Sequence, residues 1–567
     1  MTALEVRAEG AAAEAVAAVV PVLVGDSVAS RIAAQDATLW GKAAEEEASV
    51  RLGWVSLATA SRPLVEQIAE LREDLRAEGV DRVVLCGMGG SSLAPEVITR
   101  TAGVELTVLD GTDPGQVRRA LDDRLDRTVV VVSSKSGNTV ETDSQRRAFA
   151  DAFTRAGIDA ARRIVVVTDP GSPLEAASKE AGYRAVFAAD PTVGGRYSAL
   201  TAFGLVPCGL AGVDIGGLLD EAEEAAEMLA ADDEGNPALV LGAAIAGGAS
   251  ARGDARQDPP ARDKVIVVED GTPLVGFGDW AEQLVAESTG KEGTGVLPVV
   301  VGGAHAPEVA SAAADATVVR LVADDALGSD HTGSGEGSGA QVRVAGPLGA
   351  QFLLWEYATA VASRLLGINP FDQPDVESAK KATRALLDER GQTQEALFTD
   401  AAVEVRAVEG LLPEGETTLA GALEALLGRL DPQRGYIAVM AYLDREADTE
   451  LAELRELLAR RTSRPVTFGW GPRFLHSTGQ YHKGGPATGV YLQVTGAPVD
   501  EVPIPGIPFS FGELIAAQAA GDASVLAEHG RPVLRVHLAD RRAGIAQLLA
   551  AVRSGATGSG DGGGTGA

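Results

Sequence analysis

RVVLCGMGGSSL, residues 82–93, decides how this chain is read. Arg82–Cys86 is a short apolar run rich in β-branched residues, and Gly87, Met88, Gly89, Gly90, Ser91 and Ser92 follow before Leu93 opens a helical pattern. A continuous apolar run of this length reads as a strand buried on both faces. Glycines directly after such a strand let backbone amides approach an anion, and the start of the following helix adds a favourable dipole.

Working outward, the same alternation of short apolar runs and helical stretches continues through Leu106–Leu109, Thr128–Val132 and Ile164–Thr168. It implies a parallel sheet of βαβ units. Upstream, apolar spacing in Ala11–Val24 and Pro63–Glu78 predicts a helical region over 1–80. A second βα series begins at Lys264–Val268 and continues with Val296–Val301 and Thr317–Val322, ahead of a long helix at Leu348–Leu366. Ala326–Ala340 is Gly/Ser-rich and reads as a loop. Further strands, Tyr436–Leu443, Pro465–Trp470, Thr488–Val494 and Val533–Leu538, either join the second sheet or form their own.

The fold class is therefore α/β, with two doubly wound parallel-sheet domains and flanking helices. The expected division is a helical region at 1–80, a first α/β domain at 81–212, a second at 213–553 with a C-terminal extension, and a disordered Gly-rich tail at 554–567.

A second anion-binding candidate follows another apolar strand: Ser133, Ser134, Lys135, Ser136, Gly137, Asn138 and Thr139, then Val140, Glu141 and Thr142. Four hydroxyls, one amine and a glycine within seven residues supply many donors to one anion. The segment lacks G-x-x-x-x-G-K-[ST], which excludes a nucleoside-triphosphate loop. Open parallel sheets bind ligands beyond the carboxyl ends of their strands, where both motifs sit. The competing reading is a dinucleotide site. Asp110 stands at the spacing of a ribose-binding acid, but the sixth position of the G-x-G-x-x-G pattern is Ser92. The bland readings are a tight strand–helix turn with no ligand for the first motif and a solvated Ser-rich turn for the second.

Composition narrows the function classes. The 49 basic and 80 acidic residues leave a net charge of −31. Such a surface repels nucleic acid and anionic membranes. An anionic substrate must then find a local amide-lined or cationic pocket, which is what the two motifs offer. Cys86 and Cys208 are the only cysteines, too few for a disulfide framework or a zinc site. No apolar run approaches the ~18 residues of a membrane span, and MTALEVRAEG has no secretory pattern. The expectation is a cytoplasmic protein.

GMGGSS, SSKSGNTVET, GGRYSAL (Gly194–Leu200), QLVAESTGK (Gln283–Lys291) and NPFDQPDVESAK (Asn369–Lys380) appear in this order between residues 85 and 380. Together they resemble the motifs of the phosphoglucose isomerase family. The resemblance implies sugar-phosphate isomerase (SIS-type) domains and interconversion of glucose 6-phosphate and fructose 6-phosphate. It further implies a small-molecule sugar phosphate as the partner, no cofactor, no metal and a homodimer. Gly90 and Ser91 in the first loop, and Ser134, Lys135, Ser136 and Thr139 in the second, resemble phosphate-binding positions, with Lys135 offering its backbone amide. Glu287 resembles the catalytic base, Arg196 the arginine beside the enediolate, Gln283 a substrate-contacting glutamine one helical turn before the base, and Gln373 and Lys380 residues that contact the sugar.

The family places a histidine motif between base and lysine. Here that interval holds only His305 and His331, neither in a matching context. The nearest match is LHSTGQ, Leu475–Gln480, which follows Lys380. His476 is the first candidate for the ring-opening acid and His482 the second, a displacement that suggests a relocated segment.

These residue types suit aldose–ketose chemistry. A histidine opens the ring because its pKa lies near working pH. One carboxylate can move the proton between C2 and C1 through a cis-enediol, and a fixed guanidinium stabilises the negative charge that develops. Purely structural roles would make Glu287 a helix acid, Arg196 an ion-pair partner, Lys380 and Lys381 solvated lysines and His476 a loop residue. Two other functions compete: a non-catalytic sugar-phosphate sensor, which would not need Glu287, and an NAD-dependent oxidoreductase, which the missing third glycine counts against.

Overall fold

The computed structural model describes residues 4–249, 260–326, 339–388 and 395–555. The Gly-rich tail, His331 and most of the loop expected at Ala326–Ala340 lie outside these residues. The described residues form three sheets. The chain opens with a short strand, β1 (Glu5–Glu9), and then runs through helices to β2 (Arg82–Gly87), β3 (Thr107–Leu109), β4 (Thr128–Ser133), β5 (Ile164–Thr168) and β6 (Ala185–Ala188). These five last strands form an all-parallel sheet in the order β3-β2-β4-β5-β6.

Successive residues of a strand point to opposite faces, and the first sheet sorts its side chains accordingly. Val83, Leu85, Val129, Val131, Val165 and Val167 enter one core, while Val84, Cys86, Val130, Val132, Ile164 and Val166 enter another. Both faces are therefore covered, as the unbroken apolar runs predict.

The second sheet contains β7 (Lys264–Glu269), β8 (Leu297–Val301), β9 (Ala316–Leu321) and β10 (Ala340–Ala345), parallel to one another. Its outer edge is β1, antiparallel to β10 with Val6 opposite Val344. The expectation that residues 1–80 are only helical is corrected here. β1 is a short edge strand of charged and small residues, EVRAE, and carries no apolar run to betray it.

The third stretch forms a sheet of its own: β11 (Phe398–Asp400), β12 (Val403–Ala407), β13 (Tyr436–Tyr442), β14 (Val466–Trp470), β15 (Gly489–Gly496) and β16 (Val533–Leu538), in the order β11-β12-β16-β15-β13-β14. β13 to β16 are parallel, and β12 and β11 add an antiparallel edge. The later strands, from Tyr436 onward, thus belong to a six-stranded sheet of their own that begins at Phe398.

The cores tie the sheets in series. One face of β7 and β9 (Val265, Val267, Val319, Leu321) shares a core with the first sheet. The other face (Ile266, Val268, Val318) shares a core with Tyr436, Ala438, Met440 and Tyr442 of β13. The far face of the third sheet packs under its own helices. No helix among the described residues is long and apolar enough to cross a membrane.

A buried ion cluster fastens the second sheet to the third at the amino ends of their strands. Asp315 accepts from Lys264 at 2.7 Å and from Arg464 at 2.6 Å, and all three are nearly inaccessible. Lys264 also reaches Asp263 at 2.6 Å. Burial alone would raise the Asp315 pKa, but the Arg464 and Lys264 donors hold it below the ordinary value. Its contribution is therefore complete above pH ~4 and is lost as pH falls below that. Asp315→Ala removes the carboxylate that pairs the buried Arg464, while Lys264 keeps Asp263, and should cost about 3 kcal/mol in a urea titration at pH 7. A cost within 0.5 kcal/mol of zero, roughly that of a surface change, would refute this role.

Candidate active site

In the first sheet the chain winds outward in both directions from β2, so the loops after β2 and β4 leave adjacent strands at the point where the winding reverses. That crevice is the ligand-binding position of open parallel sheets. The first loop becomes a tight turn at Gly89–Ser91, and Ser92 precedes the helix Leu93–Ala102. Gly89 has φ 56°, and a Cβ there would come within 2.9 Å of Gln283 Nε2 and of His476 Cβ. A Cβ on Gly90 would collide with the Gly195 carbonyl. Both glycines are needed because other segments press against this backbone. Ser91 is buried in the same turn.

The second loop ends at Thr139, which caps the helix Val140–Arg155. Ser134 Oγ lies 3.0 Å from Thr139 Oγ1 and accepts from the Gly137 amide at 3.2 Å, while Ser136 Oγ accepts from the Asn138 amide at 3.3 Å. The Lys135 ammonium pairs with Asp169 at 2.8 Å, so its side-chain charge is engaged outside the loop. Hydroxyls, amides and a helix N-terminus therefore converge, the donor set an anion needs.

Glu287 lies in the last turns of the helix Phe277–Thr289 and is 4% exposed. Burial pushes its carboxyl above the ordinary carboxylate range, with Arg196 and His476 opposing. Arg196 stands in the turn Gly195–Tyr197 and uses all five of its N–H groups. Nε donates to Ser288 Oγ at 3.0 Å. Nη1 donates to Glu287 Oε2 at 3.3 Å and to Gln373 Oε1 at 3.1 Å. Nη2 donates to the carbonyls of Pro370 at 2.6 Å and Asp372 at 2.9 Å. Behind it, Tyr197 stacks on Trp54 at 5.2 Å between ring centroids, which is what the N-terminal helices contribute to the site.

Gln283 is buried one turn before Glu287, and its Nε2 donates to the His476 carbonyl at 2.8 Å. His476 ends a short turn after β14, and its Nε2 lies 3.2 Å from Glu141 Oε1. The histidine motif of the third sheet thus reaches both the base-bearing helix and the first sheet. His482, the second candidate, is 3% exposed among Tyr436, Tyr491 and Phe474, with burial pushing its pKa down to about 3. A neutral ring in that setting is a core residue. The side chain of Lys380 lies outside the described residues, although its backbone falls in the helix Val376–Asp388.

Two residues in the quoted motifs received no role from the sequence and are central here. Lys291 is fully buried and donates to Asn369 O at 2.7 Å, Asp372 O at 2.7 Å and Asp372 Oδ1 at 2.6 Å. Burial, then repulsion from Arg196, brings its pKa down to about 8. It shares the Asp372 carbonyl with Arg196, so both cations clamp the segment that carries Gln373. Glu141 is the other, through its contact with His476. Asp110, the ribose-binding acid of the dinucleotide reading, is 1% exposed and lies 3.4 Å from Arg445 and 3.2 Å from Arg473, so it is an ion-pair partner. Among the described residues no group of three or more His, Cys, Asp or Glu is placed to hold a metal ion.

Residues 64–235 match the family model of phosphoglucose isomerase. Over 228 residues the chain is 36% identical to a probable glucose-6-phosphate isomerase of Haloarcula marismortui, an alignment covering 40% of this chain and 50% of that protein. It is 28% identical over 364 residues to the glucose-6-phosphate isomerase of Gloeothece citriformis, covering 56% of this chain and 67% of the relative. Against the Acaryochloris marina glucose-6-phosphate isomerase the coverage of the relative is 40%; the chain thus spans half or less of the length of two of these relatives. Among solved structures, a hypothetical protein from Thermus thermophilus superposes with a TM-score of 0.55 at 25% identity, over 67% of this chain and 99% of that one. The glucose-6-phosphate isomerase of Chlamydia trachomatis shares the fold with a TM-score of 0.50 at 20% identity, over 62% of this chain and 76% of its own.

Fold and site together define an α/β protein of parallel sheets with an anion cradle beside a buried Glu–Arg pair. Over residues 64–235 the chain is similar to the phosphoglucose isomerases.

The packing of Gly90 on Gly195 is directly testable. Gly90→Ala forces two backbones apart and should destabilise by about 1–3 kcal/mol. Gly195→Ala meets nothing within 4 Å and should stay close to wild type in thermal unfolding. Equal melting temperatures for the two variants would contradict the close approach.

Proposed function

We propose that this chain interconverts glucose 6-phosphate and fructose 6-phosphate through a cis-enediol intermediate, with Glu287 as the base. The observation that carries the reading is the cluster itself: a buried carboxylate with a raised pKa, in contact with a fully engaged guanidinium, beside a histidine and an anion cradle. In this reading the substrate phosphate rests on the loops holding Gly90, Ser91, Ser134, Lys135, Ser136 and Thr139. Phosphate binding far from the reacting carbons holds them in place for the proton transfer.

His476 donates a proton to the ring oxygen and opens the sugar. Glu287 then removes the C2 proton and returns it to C1. Arg196 stabilises the negative charge growing on the enediol oxygens. It is held rigid by five acceptors, so it needs no reorganisation as charge develops. Gln283, Gln373 and Lys380 complete the sugar contacts. The residues in these roles require no cofactor. We further propose a homodimer acting in the cytoplasm, checked by light scattering at twice the chain mass.

The test is a coupled assay on fructose 6-phosphate with a chelator present. Glu287→Gln should lower kcat by about 10³-fold and His476→Ala by about 10²-fold, whereas His482→Phe should leave turnover within a few-fold. Because Glu287 must be ionised to act and burial raises its pKa, the ascending limb of kcat/KM should lie above the ordinary carboxylate value of about 4.3. A folded wild type that binds sugar phosphate without turning it over would replace this reading with the non-catalytic sensor.

A further inference from the structure

The contact between His476 and Glu141 does not end at the carboxylate. Gln518, on the helix Phe511–Glu528 of the C-terminal unit, donates from Nε2 to the same oxygen, Glu141 Oε1, at 2.7 Å. Its own Oε1 accepts from Thr112 Oγ1 at 2.8 Å. Thr112, Gln518 and Glu141 are 0%, 2% and 5% exposed. The chain Thr112–Gln518–Glu141–His476 therefore runs almost entirely inside the protein, joining the loop after β3, the helix Phe511–Glu528, the first turn of Val140–Arg155 and the turn after β14.

The chemistry of the four groups fixes their orientation. An ionised carboxylate only accepts, so Gln518 must present its NH₂ to Glu141 and its carbonyl to the Thr112 hydroxyl. Glu141 sits in the first turn of a sixteen-residue helix, where the helix dipole favours negative charge. A carboxylate in that state requires a donor from the imidazole, so His476 carries its proton on Nε2 and keeps Nδ1 for proton exchange. An amide donor on the oxygen that faces His476 also limits how strongly that oxygen draws the imidazole proton.

We infer that Gln518 is a positioning residue for His476, acting through Glu141: it holds the carboxylate oxygen at the imidazole and tempers its basicity. This rests on the isomerase reading for its kinetic consequence but not for its structural one. A buried amide with both ends occupied and no contact to the substrate loops contributes nothing to phosphate binding. Its effect should therefore fall on kcat and on the titration of His476.

The experiment uses the full-length chain with Gln518→Leu, His476→Ala and the double variant, together with Gln518→Glu. With Gln518→Leu we expect kcat to fall about tenfold with KM changed less than twofold. In the His476→Ala background the same substitution should add less than a twofold loss, because a residue acting only through His476 has nothing left to act on. Imidazole NMR of the unliganded protein should show the His476 titration moving to higher pH in Gln518→Leu, since a carboxylate without its amide donor is a stronger base. Gln518→Glu, which adds a second negative charge, should move it further in the same direction. Losses that multiply in the double variant, or a His476 titration unmoved in both Gln518 variants, would overturn the inference. The NMR arm needs no turnover, so an inactive wild type would count against the isomerase reading alone.

Discussion

The structure depends on one buried guanidinium. Arg473 opens the turn that ends in His476, and it is drawn into the junction of the three sheets. Its Nη1 donates to Glu96 at 2.9 Å and lies 3.2 Å from Asp110, both from the first sheet's surroundings. Its Nη2 donates to Asp279 at 3.0 Å, on the helix that carries Glu287. Burial works against the Glu96 charge, yet Arg473 and Arg445 hold its carboxyl down at about 2. A buried cation is tolerable only with this completeness of pairing. The consequence is geometric. A turn supplied by the third sheet is pinned between the first and second, three residues before the histidine that the site needs. Asp110, the acidic residue that a dinucleotide reading assigns to a ribose, is consumed by this junction.

The three sheets repeat one winding. In the first, the order β3-β2-β4-β5 places the opening strand between its second and third; β8-β7-β9-β10 and β14-β13-β15-β16 do the same. Each sheet offers elements to the common site. The first gives two loops beside its switch point, the second gives the helix with Gln283 and Glu287, and the third gives the turn with His476. Because the cores between sheets are shared, these elements cannot drift independently. Gly89 records how tight the convergence is, since Gln283 and His476 both lie within reach of the Cβ it lacks.

Strands buried on both faces were readable from sequence because an unbroken apolar run has few alternatives; Ile164–Thr168 appears with the expected bounds. The strands that escaped notice are at edges or alternate. β1 (EVRAE), β10 (AQVRVA) and β12 (VEVRA) mix charge with apolar residues because one face or one edge meets polar groups, and β11 and β6 are three and four residues long. The motif residues Arg196, Gln283, Glu287 and Gln373 were legible as types in context, and the fold gathers them. Lys291 and Glu141 stood in plain view within quoted motifs, but their meaning lies in partners 81 and 335 residues away. No local pattern encodes that. His482 stood second to His476 on proximity alone, six residues away, and the short helix Gly479–Gly484 turns it into a tyrosine-lined interior.

The displaced histidine motif follows from the same architecture. A site assembled from three similarly wound sheets constrains where each element stands in space, not its place in the chain. His476 needs only a turn at the junction, an anchor such as Arg473 and a glycine opposite, and each is present although the segment comes after Lys380 in sequence. What the displacement does demand is a rigid route back to the first sheet, since the third sheet shares no strand with it. The ion pairs of Arg473 and Arg445 with Glu96, of Arg119 with Asp444 at 2.7 Å, and of Arg541 with Asp113 at 2.6 Å provide that route. Arg473, Arg445 and Arg541 come from the third sheet's side of this seam, and Arg119 comes from the first's. The unit that contributes the histidine brings most of the cations that fasten it.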